Sequence, residues 1–74
     1  MKEYPINIFY TWENKTGTGY WTAYLLDFGE AACSAIGDTP EEALQHLRLI
    51  YEDVVKYLKE KQDLIPEPTI RIYN

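Results

Sequence analysis

The sequence predicts an α+β domain of order β-β-β-α-β, and three observations carry that prediction. The first third alternates at period two between turns rich in polar residues and glycine. A helix start at Thr39-Pro40-Glu41-Glu42 then opens a long stretch whose apolar residues step by three and four. Beyond Pro66 and Pro68 the alternation returns in Thr69-Ile70-Arg71-Ile72-Tyr73, which reads as a short fourth strand.

The first strand spans Tyr4 to Trp12, rich in aromatic and β-branched residues. Ile6, Ile8, Tyr10 and Trp12 share one face; Asn7, Phe9 and Thr11 take the other. The polar stretch from Glu13 to Gly19 is a hairpin loop. In the second strand, Tyr20 to Leu26, Trp21, Ala23 and Leu25 alternate with Tyr20, Thr22, Tyr24 and Leu26. After the turn Asp27-Phe28-Gly29-Glu30, the run Ala31-Ala32-Cys33-Ser34-Ala35-Ile36 is assigned as a third strand because the next segment is an explicit helix start. Thr39 stands at the N-cap, Pro40 at the first helical position, and Glu42 where a capping box reaches back to the Thr39 backbone.

The helix extends from Pro40 to about Lys61 and is stopped by Pro66 and Pro68. Leu44, Leu47, Tyr51, Val54 and Leu58 form its stripe, widened by Ala43, Ile50 and Val55. Three strands joined by short turns make an antiparallel meander, with the helix on one face. A fourth strand beside the first runs parallel to it, in the order 3-2-1-4, through a right-handed crossover. A helix of about 22 residues spans roughly 33 Å, against about 23 Å for a seven-residue strand. The end carrying Tyr57 and Leu58 therefore overhangs its sheet, where a second subunit or a folded-back Pro66–Pro68 segment is the natural cover.

Residues 1–74 form a single domain, too short for a two-domain enzyme with its own cofactor fold. Twelve acidic against seven basic residues give a net charge of -5, which disfavours direct nucleic-acid binding and suits a basic partner. The single cysteine, Cys33, makes no internal disulfide, and no histidine or sulfur cluster supports a metal site. No signal peptide and no apolar run long enough for a membrane span is read, so a cytoplasmic location is expected. A small domain without disulfide or metal commonly gains stability from a partner subunit, and a homo-oligomer (dimer or tetramer) is expected.

The candidates for chemistry are sparse, and no catalytic, cofactor-binding or metal-ligating residue is assigned. His46, the only histidine, sits toward the polar side of the helix and reads as a surface residue. Cys33 lies among alanines and reads as packing. Asp27, Glu30, Asp38, Glu41 and Glu42 form an acidic group around the third strand. Such carboxylates hold magnesium in nucleases, but the last three already suit a helix amino end, and the first strand has no acidic residue at its middle. The informative excess is aromatic: seven Tyr, two Trp and two Phe, with rings on both faces of the hairpin. That suits base stacking or a protein interface, and the negative charge decides for protein. Tyr10, Trp12, Tyr20, Tyr24, Tyr57 and Leu58 are the candidate oligomer interface.

Gly19-Tyr20-Trp21, the run from Cys33 through Gly37-Asp38-Thr39-Pro40-Glu41-Glu42-Ala43-Leu44, and Ile65-Pro66-Glu67-Pro68 resemble, in order and spacing, the HicB-like antitoxin family. The resemblance covers about residues 4–73. The segment before the cysteine, Leu26 to Ala32, is longer than the family's by about two residues. The resemblance implies a partial RNase H-like fold without nuclease residues, oligomers, and binding of a small basic HicA-type ribonuclease toxin. Full-length members continue into a DNA-binding domain; none is expected within these 74 residues, which end at Asn74. A non-enzymatic antitoxin-like module, with Asp27, Phe28, Glu30, Asp38, Glu41 and Glu42 as partner contacts, is the leading expectation. A stand-alone oligomeric regulatory module of the same fold, with no toxin, is the alternative, and a metal-dependent RNase H-like nuclease the third reading.

Overall fold

The computed structural model describes residues 4–68. Three strands form one antiparallel sheet in the order β1-β2-β3, with β1 Ile6–Glu13, β2 Thr18–Leu25 and β3 Ser34–Gly37. A single helix, α1 (Pro40–Glu60), packs on one face. The expected meander and helix are present, while the fourth strand expected at Thr69–Tyr73 lies outside the described residues.

Register follows from which residues need burial. Ile6 pairs with Leu25, Ile8 with Ala23 and Tyr10 with Trp21, while Ala23 pairs onward with Ala35 and Trp21 with Gly37. Directly paired residues share a face, so these residues form the side turned toward the helix. The opposite face presents Asn7, Phe9 and Thr11, then Tyr20, Thr22 and Tyr24, then Ser34 and Ile36; among its strand residues only Glu13, at the hairpin end, is charged. Phe9 and Tyr24 meet edge to face, 6.2 Å between centroids, and Thr22 is buried between its neighbours.

The core comprises Tyr4, Ala23, Leu25, Cys33, Ala43 and Leu47, edged by Trp21, Phe28, Ala35, Leu44, Tyr51 and Val54. Small residues set the helix position. A β-carbon on Gly37 would stand 2.5 Å from the Ala43 backbone nitrogen, so strand and helix approach as closely there as backbones allow. The helix consequently lies chiefly against β3 and β2. The outer strand β1 keeps Ile6, Ile8, Tyr10 and Trp12 half-exposed on the same face.

The strand bounds differ from the sequence reading: β1 runs Ile6–Glu13 rather than Tyr4–Trp12, and β2 Thr18–Leu25 rather than Tyr20–Leu26, so the hairpin loop is shorter than the expected Glu13–Gly19. β3 begins at Ser34 rather than Ala31, because the connection from β2 spends its amides on local turns. Phe28 and Gly29 donate to the Leu25 carbonyl, and Ala32 and Cys33 to that of Gly29, before Leu25 and Cys33 rejoin the ladder. At the helix start, Thr39 Oγ1 accepts from the Glu42 amide at 3.1 Å, as expected of an N-cap. The reciprocal Glu42 bond shifts by one residue: its carboxylate accepts from the Asp38 amide at 3.2 Å, the first donor past the strand ladder.

The helix stops before the prolines. Gln62 takes φ 56°, Gln62 N–H donates to the Lys59 carbonyl and Asp63 N–H to that of Leu58. This is a Schellman arrangement with glutamine where glycine is usual. A left-handed residue with a β-carbon costs about 1–2 kcal/mol. Gln62→Gly is therefore expected to stabilise the domain by about 0.5–1 kcal/mol, after allowing for glycine's looser unfolded chain. Urea unfolding checks it; an unchanged or lower midpoint refutes the assignment.

Beyond the helix the chain folds back. The Tyr4 hydroxyl donates to the Pro66 carbonyl at 2.5 Å, tying the segment after α1 to the start of β1. Tyr4, Phe28 and Tyr51 form an aromatic trio with centroids 5.2, 5.8 and 5.9 Å apart. Burial pushes the Tyr4 phenol above its ordinary pKa, with smaller contributions from Tyr51, Glu67 and Asp27.

Candidate partner-binding surface

The acidic residues singled out in the sequence flank the outer strand β3. Asp27 and Glu30 belong to the connection entering it, whereas Asp38, Glu41 and Glu42 follow its exit into the helix. Four extended residues separate the two groups by roughly 10–13 Å, so they form the two ends of a strip rather than one cluster. Glu30, Asp38 and Glu41 are exposed, Glu42 is half-buried through its bond to the Asp38 amide, and Asp27 is half-buried. Between the ends Ile36 presents an apolar side chain with 56% exposure. Phe28 is separate from this surface: it is half-buried in the aromatic trio with Tyr4 and Tyr51, and its role is to pack the core's margin.

The edge of β3 is also partly closed. The Leu25 amide bonds the Cys33 carbonyl, and continuing the register leaves the amides and carbonyls of Ser34 and Ile36 pointing outward. His46 Nδ1 lies 2.7 Å from the Ile36 carbonyl oxygen. A carbonyl only accepts, so Nδ1 carries the proton and donates. The lone histidine thus blunts a sheet edge, a role no spacing in the sequence announces because Ile36 and His46 belong to different elements.

The six residues expected at an oligomer interface fall on three separate surfaces. Tyr20 and Tyr24 stand on the face away from the helix, the Tyr24 hydroxyl accepting from Asn7 Nδ2 at 3.1 Å. Tyr10 and Trp12 are on the helix side but beyond its cover, with Tyr10 packed on Trp21 at 5.2 Å. Tyr57 and Leu58 lie near the helix carboxyl end, where Tyr57 is exposed beneath the Lys61 ammonium at 5.7 Å and Leu58 is half-buried.

Cys33 is fully buried and burial raises its thiol pKa, so it stays a protonated packing group rather than a nucleophile. No group of His, Cys, Asp and Glu suited to hold a metal ion occurs among the described residues. No helix among them is long and apolar enough to cross a membrane. Compared with family models, curated proteins and solved structures, the chain matches none.

Proposed function

We propose that this domain works by binding protein, as a HicB-like antitoxin module that masks a small basic ribonuclease of the HicA type. The observation that carries the reading is the strip along β3: carboxylates at both ends with exposed Ile36 between them. A surface of that kind complements a basic RNA-binding face, steering its approach by charge and gripping it by an apolar contact. The family motif around Gly37-Asp38-Thr39-Pro40-Glu41-Glu42 coincides with one end of the strip. The β-β-β-α order is also that of a partial RNase H-like fold, whose fourth strand would fall at Thr69–Tyr73.

Native mass spectrometry of the tagged protein from its host tests the proposal. The expected result is a stoichiometric basic polypeptide that cleaves RNA once released. Reversing Asp27, Glu30, Asp38 and Glu41 to lysine is expected to weaken that complex at least roughly tenfold, most strongly at low salt. Glu42 is left in place because its carboxylate serves the helix start. An unchanged affinity removes the strip from the interface, and recovery without any basic partner overturns the antitoxin reading.

A further inference from the structure

The helix covers one face of the sheet and leaves the other open. On the open face Thr22 sits at the centre of four larger side chains. Phe9 and Ile36 stand beside it across the strands, and Tyr20 and Tyr24 lie two residues away along its own strand. Thr22 is buried among them, while Ile36 is 56% and Tyr20 37% exposed. The plate is held in place without a covering layer. Tyr24 packs edge to face on Phe9, and its hydroxyl accepts from Asn7 Nδ2 at 3.1 Å. Aromatic side chains already fixed in this way lose little freedom when a partner lands on them.

The charge around the plate selects what it takes. No strand residue of this face is a cation, and carboxylates border it: Glu13 at the hairpin end, Glu30 before β3 and Asp38 after it. A phosphate backbone is repelled by such a rim, and a second copy, also carrying -5, would set the same carboxylates against themselves. A cation is attracted by the carboxylates and by the ring faces alike. Arginine fits better than lysine, because its planar guanidinium stacks on a ring while its edge still pairs with a carboxylate. The segment after the helix is held on the other side of the sheet, where the Tyr4 hydroxyl bonds Pro66 beside Tyr51. A strand added beside β1 would widen this plate rather than cover it.

We propose that the open face is the centre of the partner interface, with Tyr20 and Tyr24 stacking arginine side chains of the basic protein and the surrounding carboxylates pairing its remaining charge. The partner's identity rests on the antitoxin reading, which this inference extends: the strip along β3 becomes one border of the contact, and Ile36 belongs to both. Rings and negative charge together are what single-stranded RNA presents to a protein. The domain thus offers an RNA-binding face the chemistry of the RNA it excludes.

Peptides test the plate without the partner. Deca-arginine and deca-lysine carry equal charge, so carboxylates alone bind them alike and ring stacking separates them. By fluorescence anisotropy, deca-arginine is expected to bind roughly fivefold more tightly, and its titration to shift the ring protons of Tyr20 and Tyr24. Replacing both tyrosines by leucine keeps apolar bulk and is expected to bring deca-arginine down to the level of deca-lysine. Trp12→Leu, at a more exposed ring on the helix side, is expected to keep the preference. In a complex recovered from the host, the double substitution is expected to weaken binding about tenfold. Equal affinity of the two peptides for the native protein overturns the proposal, as does a preference that vanishes with Trp12. Ring protons of Tyr20 and Tyr24 that stay unmoved overturn it even where the double variant fails to fold. None of these results touches the antitoxin reading, since the charge of the β3 strip does not depend on the rings. Recovery without any basic partner removes that reading instead, and the peptide preference still decides the plate.

Discussion

Replacing Leu47 by alanine is expected to lower the stability of this domain by about 3 kcal/mol, within the usual 2–5 kcal/mol for such a truncation. Leu47 is fully buried and belongs to the same cluster as Ala23, Leu25, Cys33 and Ala43. Two of its buried companions are alanines, which have no longer side chain to swing into the space left behind. A domain of this size has roughly 4–11 kcal/mol of stability in all, at 0.05–0.15 kcal/mol per residue. The loss should appear as a melting temperature lower by about 12–24 °C, at 4–8 °C per kcal/mol. Leu49→Ala is the matched control: the same change, two positions along the same helix, at a side chain 61% exposed. It is expected to move stability by less than about 0.5 kcal/mol. Equal effects at the two positions, read by thermal and urea unfolding, would refute the placement of the helix on the sheet.

That contrast was legible in the sequence, because both leucines lie in a helix whose apolar stripe includes one and omits the other. The hairpin was legible for the same reason, since period-two alternation fixes which face each residue takes. Bonds between elements were not. The Tyr4–Phe28–Tyr51 trio joins a strand's approach, a turn and a helix, and no local period relates those positions. The helix end near Lys61 was legible to within a residue, but not what stops it: Pro66 and Pro68 are conspicuous, whereas the actual stop, a left-handed Gln62, lacks the glycine that marks such a cap. The start of β3 was set too early because an alanine run is indifferent between strand and turn, and Gly29 had already committed the chain to local bonds. Among the candidate contacts, the acidic residues around β3 were visible as charge, but their division between its two ends required the fold.

Gly37→Ala is expected to be the most damaging small substitution outside the apolar core, at about 1–3 kcal/mol. The cost is not one of backbone dihedral angles, since Gly37 ends a regular strand and pairs with Trp21. It is one of space. The added methyl would stand 2.5 Å from the Ala43 nitrogen and 2.9 Å from the Glu42 carbonyl carbon, both backbone atoms of the helix's first turn. Neither can rotate away as a side chain does, so the helix start must move off the strand. Gly17→Ala separates the two causes: its φ of 66° penalises a side chain, yet no atom lies within 4 Å of the added methyl. It should cost about 1 kcal/mol and leave the helix untouched. At Gly37 the displacement should also reach the surface, because the moved turn carries Glu41 and Glu42, and the Glu42 carboxylate holds the Asp38 amide. The expected signature is thus a lowered unfolding midpoint together with weakened binding of the basic partner proposed above, whereas Gly17→Ala lowers stability alone. A Gly37→Ala variant with unchanged stability would show that strand and helix do not meet this closely. One that is destabilised yet binds the partner fully would place the interface away from the helix start.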